Sequence, residues 1–365
     1  LDGSDFTITS NGPCNIWGLA MNGEGETFIQ EANDFGYPVM PFHDYANYPG
    51  CSNAQWKSYG PEFPATAPGF RMGGTGLSGL ALTDARGSFP AAWSDVMLVA
   101  NPITNRIQAI KMHRDATTGT GWKLEKLHDV VASGDPWFRP VAMTLGPDGA
   151  VYIVDWYNKI ISHNEVPRNH PERDKKRGRI WRLKGKAEAG FPVPDFTRMS
   201  EEGLVAALGH DSVAQSHLAW QTLADGPTLA PTTLNALKNI VQAPVAKQNA
   251  DATRPYPDAR RIQALWVLVE KNMATDLLAP LATHPNPNVR REAATFAGAQ
   301  AAAFLADSEF TVRTAAIAAV ADSLAHDPSP GTLATLIAAA REPVTEPVAA
   351  STQSGQPIKV GAAYE

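Results

Sequence analysis

The sequence predicts a multidomain protein in which an antiparallel β region is followed by a region of α-helices. Three observations support this prediction. Strand-like segments separated by turns repeat in residues 1–187, alanine and leucine recur at helical spacing in residues 198–341, and the composition changes between the two regions. We therefore expect two domains, joined by a short connector at 187–195, each with its own hydrophobic core.

The strongest strand signal lies between residues 140 and 183. Three strand-like runs lie within it, at 141–145, 150–156 and 178–183. Asp148-Gly149 stands between the first two runs, and this dipeptide between alternating apolar residues is typical of a β-hairpin. The loop before the third run is long, basic and rich in histidine, as expected of a loop that carries a binding site.

Two earlier segments, 16–30 and 78–112, repeat the same pattern of strand, turn and strand. Such self-similarity predicts a β-propeller. Three or four blades are too few to close a ring, so we expect a partial propeller. The remaining blades would come from upstream sequence, which we favour, or from another chain. The long aromatic loop at 35–76 interrupts the pattern, and a loop of this length is usually functional.

The second region reads as helical repeats. Eight helices are predicted, at 200–209, 212–224, 231–242, 258–271, 274–283, 287–304, 308–325 and 330–341. Segments 286–298 and 308–321 resemble each other, and 210–223 is a looser copy, which predicts HEAT-like stacked helix pairs. Residues 342–365 are rich in Pro, Ser, Thr and Gln and are predicted to be a linker or a disordered tail.

Composition excludes several classes of function. A net charge of -6 argues against a general nucleic-acid binder, and no apolar run reaches the roughly 18 residues that a membrane span requires. The sequence has no Cys-x-x-Cys-His motif for attaching a c-type haem. Its two cysteines, Cys14 and Cys51, are either unrelated thiols or a disulfide formed in an oxidising compartment.

The order of motifs resembles a known family. GPDGAVYIVDWYN at 146–158 is followed by the His/Arg-rich loop, GRIWRL at 178–183 and HEAT-like helices. This order is similar to large secreted dehydrogenase-like proteins of planctomycetes and related bacteria, whose propeller resembles that of sorbosone and soluble glucose dehydrogenases. The resemblance implies a periplasmic or secreted location, pyrroloquinoline quinone with calcium, and a c-type cytochrome as partner. We expect the upstream blades and the cytochrome domain of that family to lie outside this sequence.

Two residues at strand ends are candidates for binding or catalysis. Arg139 precedes Pro140 and is therefore extended at a strand start, where it could bind a carboxylate of a quinone or substrate. The alternative is a salt bridge to Asp135. Asp155 ends a strand and could orient a base or bind calcium, or could instead make a loop-fixing hydrogen bond that recurs from blade to blade.

Histidines in the loops are candidates for a general base. His163 and His43 could each take the proton of a substrate hydroxyl, although both could also be ordinary loop residues. Arg71 is a candidate cofactor ligand, and the glycine-rich run at 73–76 could bring backbone amides close to an anion.

Two functions from different classes follow from these residues. The first is a quinone-dependent dehydrogenase that oxidises a sugar or an alcohol and passes electrons to a cytochrome. In that reading the basic segment at 168–186 docks on an acidic partner. The second is a non-catalytic propeller and HEAT scaffold for interaction or carbohydrate binding, because a fold does not by itself imply chemistry.

Overall fold

The computed structural model describes residues 10, 15–34, 36, 38–44, 70–83, 87–115, 121–162, 166–245, 256–326 and 330–341. The chain divides into two compact units. Among the described residues, the first unit comprises those up to Met21 and from Thr27 to Phe191, and the second comprises Asn22–Glu26 and those from Pro192 onward. The first is built of strands and the second of helices, so the predicted order of a β region followed by an α region is confirmed.

The described strands of the first unit form three antiparallel sheets. The first sheet contains β1 (Ile16–Met21), β2 (Thr27–Glu31) and β3 (Met40–Phe42). The second contains β4 (Ser78–Leu82), β5 (Val96–Asn101), β6 (Arg106–Arg114) and β7 (Trp122–Ala132). The third contains β8 (Pro140–Leu145), β9 (Val151–Asp155) and β10 (Arg179–Leu183).

The three sheets repeat one structural unit. In each, the pairing of the first two strands shifts register after the first paired residue, which is Ile16, Ser78 or Pro140. Because the register shift occurs at the same place in all three sheets, it is a common feature of the repeated unit. A β-bulge at this place changes the direction of the side chains that follow it. The self-similar segments of the sequence therefore correspond to similar sheets, while the closing of these sheets into a ring stays a prediction.

The first strands of the three sheets lie side by side. β4 contacts both β1 and β8, and all of its residues are buried. Gly79 permits this approach, since a Cβ at that position would come within 2.9 Å of the Met143 backbone nitrogen. A hydrophobic core fills the space between the second and third sheets, and it includes Leu98, Phe138 and Ile153.

The sequence analysis missed β7. This strand alternates buried Trp122 and Leu124 with exposed charged residues, which is the pattern of an outer strand with one solvated face. The sequence does show this alternation, but the high content of charged residues makes the segment look like a loop.

The helices of the second unit agree closely with the predicted segments. They are α1 (Glu201–Ala207), α2 (Val213–Asp225), α3 (Pro231–Gln242), α4 (Ala259–Glu270), α5 (Thr275–Leu278), α6 (Pro287–Phe296), α7 (Phe310–His326) and α8 (Pro330–Arg341). None of the described helices is long and apolar enough to cross a membrane. The HEAT-like pairing of these helices stays a prediction.

Two predicted helices are divided. The segment predicted at 287–304 is α6 followed by a 3-10 helix, Gly298–Phe304, because Gly298 adopts a left-handed φ of 52° that ends the α-helix. The segment predicted at 274–283 is the short α5 followed by a 3-10 helix, Ala279–Thr283, with a proline at its start.

Candidate functional site

The second strand of each sheet ends on a buried polar side chain. These residues are Glu31 on β2, Asn101 on β5 and Asp155 on β9. Each accepts a hydrogen bond from a backbone N–H two or three residues further on, at 2.7, 3.2 and 2.9 Å respectively. The loop-fixing hydrogen bond that was the structural alternative for Asp155 therefore recurs from sheet to sheet.

Both carboxylate oxygens of Asp155 accept hydrogen bonds from residues of the first unit. Its Oδ1 accepts from the backbone N–H groups of Arg139 and Tyr157, at 2.8 and 2.9 Å. Its Oδ2 accepts from Arg179 Nε and Trp181 Nε1, at 2.7 and 2.9 Å. Burial alone would raise the pKa of Asp155, but these four donors hold it below its usual value. With both oxygens occupied and a low pKa, the carboxylate is better suited to fixing loops than to accepting a proton.

Arg139 holds two loops by their oxygens. Its guanidinium donates to the carbonyls of Asn158 and Lys159 at 2.8 and 2.9 Å. It also donates to the Pro102 carbonyl and to Asn105 Oδ1, both at 2.7 Å. Burial lowers the pKa of Arg139 while nearby aspartates oppose the shift. To bind a ligand carboxylate with two hydrogen bonds, the Arg139 guanidinium would have to break some of its hydrogen bonds to these oxygens.

Arg179 is a central residue that the sequence analysis missed. It bridges Asp135 at 3.0 Å and Asp155 at 2.7 Å, so Asp135 pairs with this arginine and not with the one predicted for it. Its guanidinium carbon lies 4.1 Å from the ring centre of Tyr157, which stacks on Trp137 at 5.4 Å. The register of β9 and β10 places Arg179 opposite Asp155, but this pairing becomes visible only once the length of the connecting loop is known.

The glycine-rich run before β4 already holds an anion, and that anion is a side chain. Asp34 Oδ1 accepts from the Met72 N–H at 2.7 Å, and its Oδ2 accepts from Gly73 and Gly74 at 2.9 and 3.1 Å. As predicted for an anion, the backbone amides of this run donate hydrogen bonds to a carboxylate. The identity of the anion was missed, because Asp34 lies 38 residues before Met72.

The structure brings Arg139 and Asp155 together, whereas His43 and Arg71 lie elsewhere in the first unit. His43 follows β3, and its carbonyl accepts from Ser10 Oγ at 2.7 Å. Arg71 is exposed, and its carbonyl accepts from Lys126 Nζ at 3.3 Å. Four predictions lie outside the described residues: those on His163, on Cys14, on Cys51 and on the segment 342–365.

The described residues do not by themselves form a site for the calcium that accompanies the quinone. No group of three or more His, Cys, Asp or Glu side chains in the described part of the chain could hold a metal ion. Asp34 and Asp155, the buried carboxylates of the loops, have both oxygens occupied by N–H donors. Calcium requires free oxygen ligands, so the described loops alone do not provide a calcium site.

Solved structures with a similar arrangement include glucose dehydrogenases. One is 24% identical, with a TM-score of 0.30 over 40% of this chain and 42% of its own. A second is 22% identical, with a TM-score of 0.30 over 49% and 47%. A third, described as a putative oxidoreductase (glucose dehydrogenase) from a Thermus species, is 21% identical, with a TM-score of 0.23 over 40% and 37%. The chain thus spans less than half the length of each of these proteins.

No curated protein matches the chain in sequence. A family model does match it, over residues 1–187, and its description is a domain of unknown function, DUF7133. The match covers just over half of the chain and includes all three sheets of the first unit. The chain therefore belongs to the DUF7133 family.

Proposed function

We propose that this chain is part of a dehydrogenase that acts outside the cytoplasm and oxidises a sugar or an alcohol. In this proposal the three sheets are blades of a larger propeller and the helices are HEAT-like pairs. The observation that supports it is the meeting of loops at one end of the sheets, where Arg139 holds the loop after β5 and the loop after β9. Loops held rigidly by a scaffold are where such proteins build their sites.

The chemistry of the proposal divides between a base and an electron acceptor. Oxidation of an alcohol removes a proton and a hydride, and His163 or His43 would accept the proton because an imidazole is largely neutral near pH 7. The hydride acceptor would be a redox cofactor held by residues outside the described part of the chain; the sequence resemblance implies pyrroloquinoline quinone with calcium for this role and a c-type cytochrome as the electron acceptor. Arg139, Asp155 and Arg179 act in this proposal as positioning residues that keep the loops in place.

A redox-dye assay on the full-length protein tests the proposal. We expect dye reduction with a panel of sugars and alcohols, and we expect it to require added quinone and calcium. Failure of the full-length protein to oxidise every member of the panel with both added would contradict the proposal.

The base is tested by substitution of single histidines. The variants are His43→Gln and His163→Gln, and we expect the one that removes the base to lower kcat by about 10²- to 10⁴-fold. His113→Gln is the matched control, because His113 is exposed on β6 and pairs with Glu125 at 2.7 Å. A loss as large in the control would show that the assay reports stability and not proton transfer.

A second candidate is a non-catalytic scaffold for interaction or carbohydrate binding. It is favoured by the internal hydrogen bonds that occupy the polar groups of Arg139, Asp155 and Asp34. Calorimetric titration of the same sugars distinguishes the two candidates, since the scaffold binds a sugar without oxidising it in the dye assay.

A further inference from the structure

Among the described strands, the third sheet lacks one that the second sheet has. In the second sheet, β7 pairs along the outer edge of β6, the third strand of the repeat. β10 is the third strand of its own sheet and so occupies the place of β6. Within the part of the chain that the structure describes, no strand pairs with the outer edge of β10. The fourth position of this repeat is therefore open among the described strands.

The side chains of β10 are exposed on both faces of the sheet. Ile180 is 74% exposed and lies beside Val154, its exposed partner on β9, while Trp181 on the opposite face is 46% exposed. The corresponding strand β6 buries Ile107 and Ile110 completely. An apolar strand with an open edge and uncovered faces is a template for pairing with another strand.

The charge around β10 determines which kind of strand can pair with its outer edge. Residues 168–186 contain nine basic and two acidic residues, in a chain of net charge -6. Arg168, Lys175 and Lys176 are exposed in the loop that precedes β10. A second copy of β10 would place arginines beside arginines, which disfavours self-pairing, whereas a strand that carries carboxylates is complementary.

We propose that the outer edge of β10 binds an extended, acidic segment of another polypeptide as a fourth strand. Backbone hydrogen bonds along the edge provide affinity in this mode of recognition, and alternate side chains provide specificity. Apolar side chains on one face of the incoming strand cover Ile180, and the carboxylates on its other face lie on the side of Trp181, near the basic loop. This inference does not rest on the dehydrogenase proposal, because it is argued from the edge and the exposed side chains of β10 and its test requires no redox activity.

The direct test is calorimetric titration of the full-length protein with a capped octapeptide of alternating glutamate and valine. Two matched peptides accompany it, one with alternate backbone amides N-methylated and one with lysine in place of glutamate. We expect the first peptide to bind and each of the others to bind at least about tenfold more weakly, a difference of about 1.4 kcal/mol. No binding of the first peptide overturns the proposal. Equal binding of the N-methylated peptide excludes strand pairing and equally overturns it.

Substitutions on the protein locate the binding edge. Because Ile180 is mostly exposed, Ile180→Ser should leave the thermal unfolding temperature nearly unchanged while it weakens peptide binding by about five- to tenfold. The matched control is Val193→Ser, an exposed apolar residue outside β10, and it should bind as the parent does. Equal effects of the two variants would overturn the assignment to β10. Dimerisation of the protein that Ile180→Ser abolishes would identify a second copy as the occupant and would also overturn it.

Discussion

Two buried carboxylates, one in each unit, differ in the direction of their pKa. Asp155 in the strand unit is 1% exposed and Glu24 in the helical unit is 4% exposed, and both accept hydrogen bonds on both oxygens. Yet the pKa of Asp155 lies below its usual value and that of Glu24 lies above. A small exposed fraction therefore does not by itself fix the charge state of a buried acid, because the pKa follows the balance between desolvation and the hydrogen bonds that the carboxylate accepts.

The donors of Glu24 are neutral. Its Oε1 accepts from the Asp258 N–H at 2.9 Å, and its Oε2 accepts from the amide groups of Asn286 and Asn288 at 3.0 and 2.9 Å. Burial raises the pKa of Glu24, these three donors only partly offset that shift, and the nearby Glu26 raises it further. Asp155 accepts from four donors, three neutral N–H groups and the Arg179 guanidinium, and together they outweigh the effect of its burial on the pKa.

The largest expected effect is the loss of the Asp155 carboxylate. Asp155→Ala leaves Arg179 without its closest acid and leaves three partly buried N–H groups without an acceptor, so we expect the unfolding free energy to fall by about 3 kcal/mol. Chemical denaturation at pH 7 measures this loss. Asp129→Ala is the matched control, because its pair with Arg106 at 2.6 Å is solvent-exposed and is expected to contribute about 0–1 kcal/mol. Similar losses in the two variants would refute a special role for Asp155.

Sequence reasoning predicted local features well and distant partners poorly. The strand end at Asp155, the hairpin turn at Asp148-Gly149 and the helix starts to within two residues follow from alternation, turn chemistry and helical periodicity, which are properties of neighbouring residues. Asp34 and Glu24 were missed because their donors lie far along the chain. The donor of Glu24, Asp258, is 234 residues away, and no local pattern marks either residue as a partner.

A second effect, of intermediate size, concerns His217 on α2. Burial lowers the pKa of His217 to about 4, although a hydrogen bond involving Asn22 opposes the shift. Below about pH 6.5 the His217 side chain becomes protonated in the unfolded chain but stays neutral in the folded protein. The stability should therefore fall as pH decreases from 6.5 toward 4. The slope contributed by this residue is about 1 kcal/mol per pH unit.

Urea unfolding at pH 7, 6 and 5 measures the contribution of His217. His217→Phe keeps an aromatic ring against Trp220, whose ring centre lies 6.2 Å away, and should remove this part of the acid-side loss. His326→Gln is the control, because His326 is exposed at the end of α7, and it should retain the parent slope. An unchanged slope in His217→Phe would show that other groups cause the loss.

The smallest effect is expected at Glu24, and its sign is opposite to that at Asp155. The folded-state pKa of Glu24 is raised, so its contribution to stability is fully present below the unfolded value of 4.5 and is lost as pH rises through the folded value. Glu24→Gln cannot ionise, so the variant lacks this loss of stability with rising pH. The variant should therefore gain stability relative to the parent as pH rises from 4.5 to 7, by less than about 1 kcal/mol.

Asp155→Asn is the matched partner of Glu24→Gln, because both variants replace a buried acid by its amide. The folded-state pKa of Asp155 is lowered, so its stabilisation is present above the unfolded value of 3.8 and is lost as pH falls through the folded value. The stability of Asp155→Asn relative to the parent should thus decrease with rising pH, while that of Glu24→Gln should increase. Titrating groups common to parent and variant cancel in each difference. Two slopes of the same sign would mean that the four hydrogen bonds to Asp155 do not outweigh the effect of its burial on the pKa.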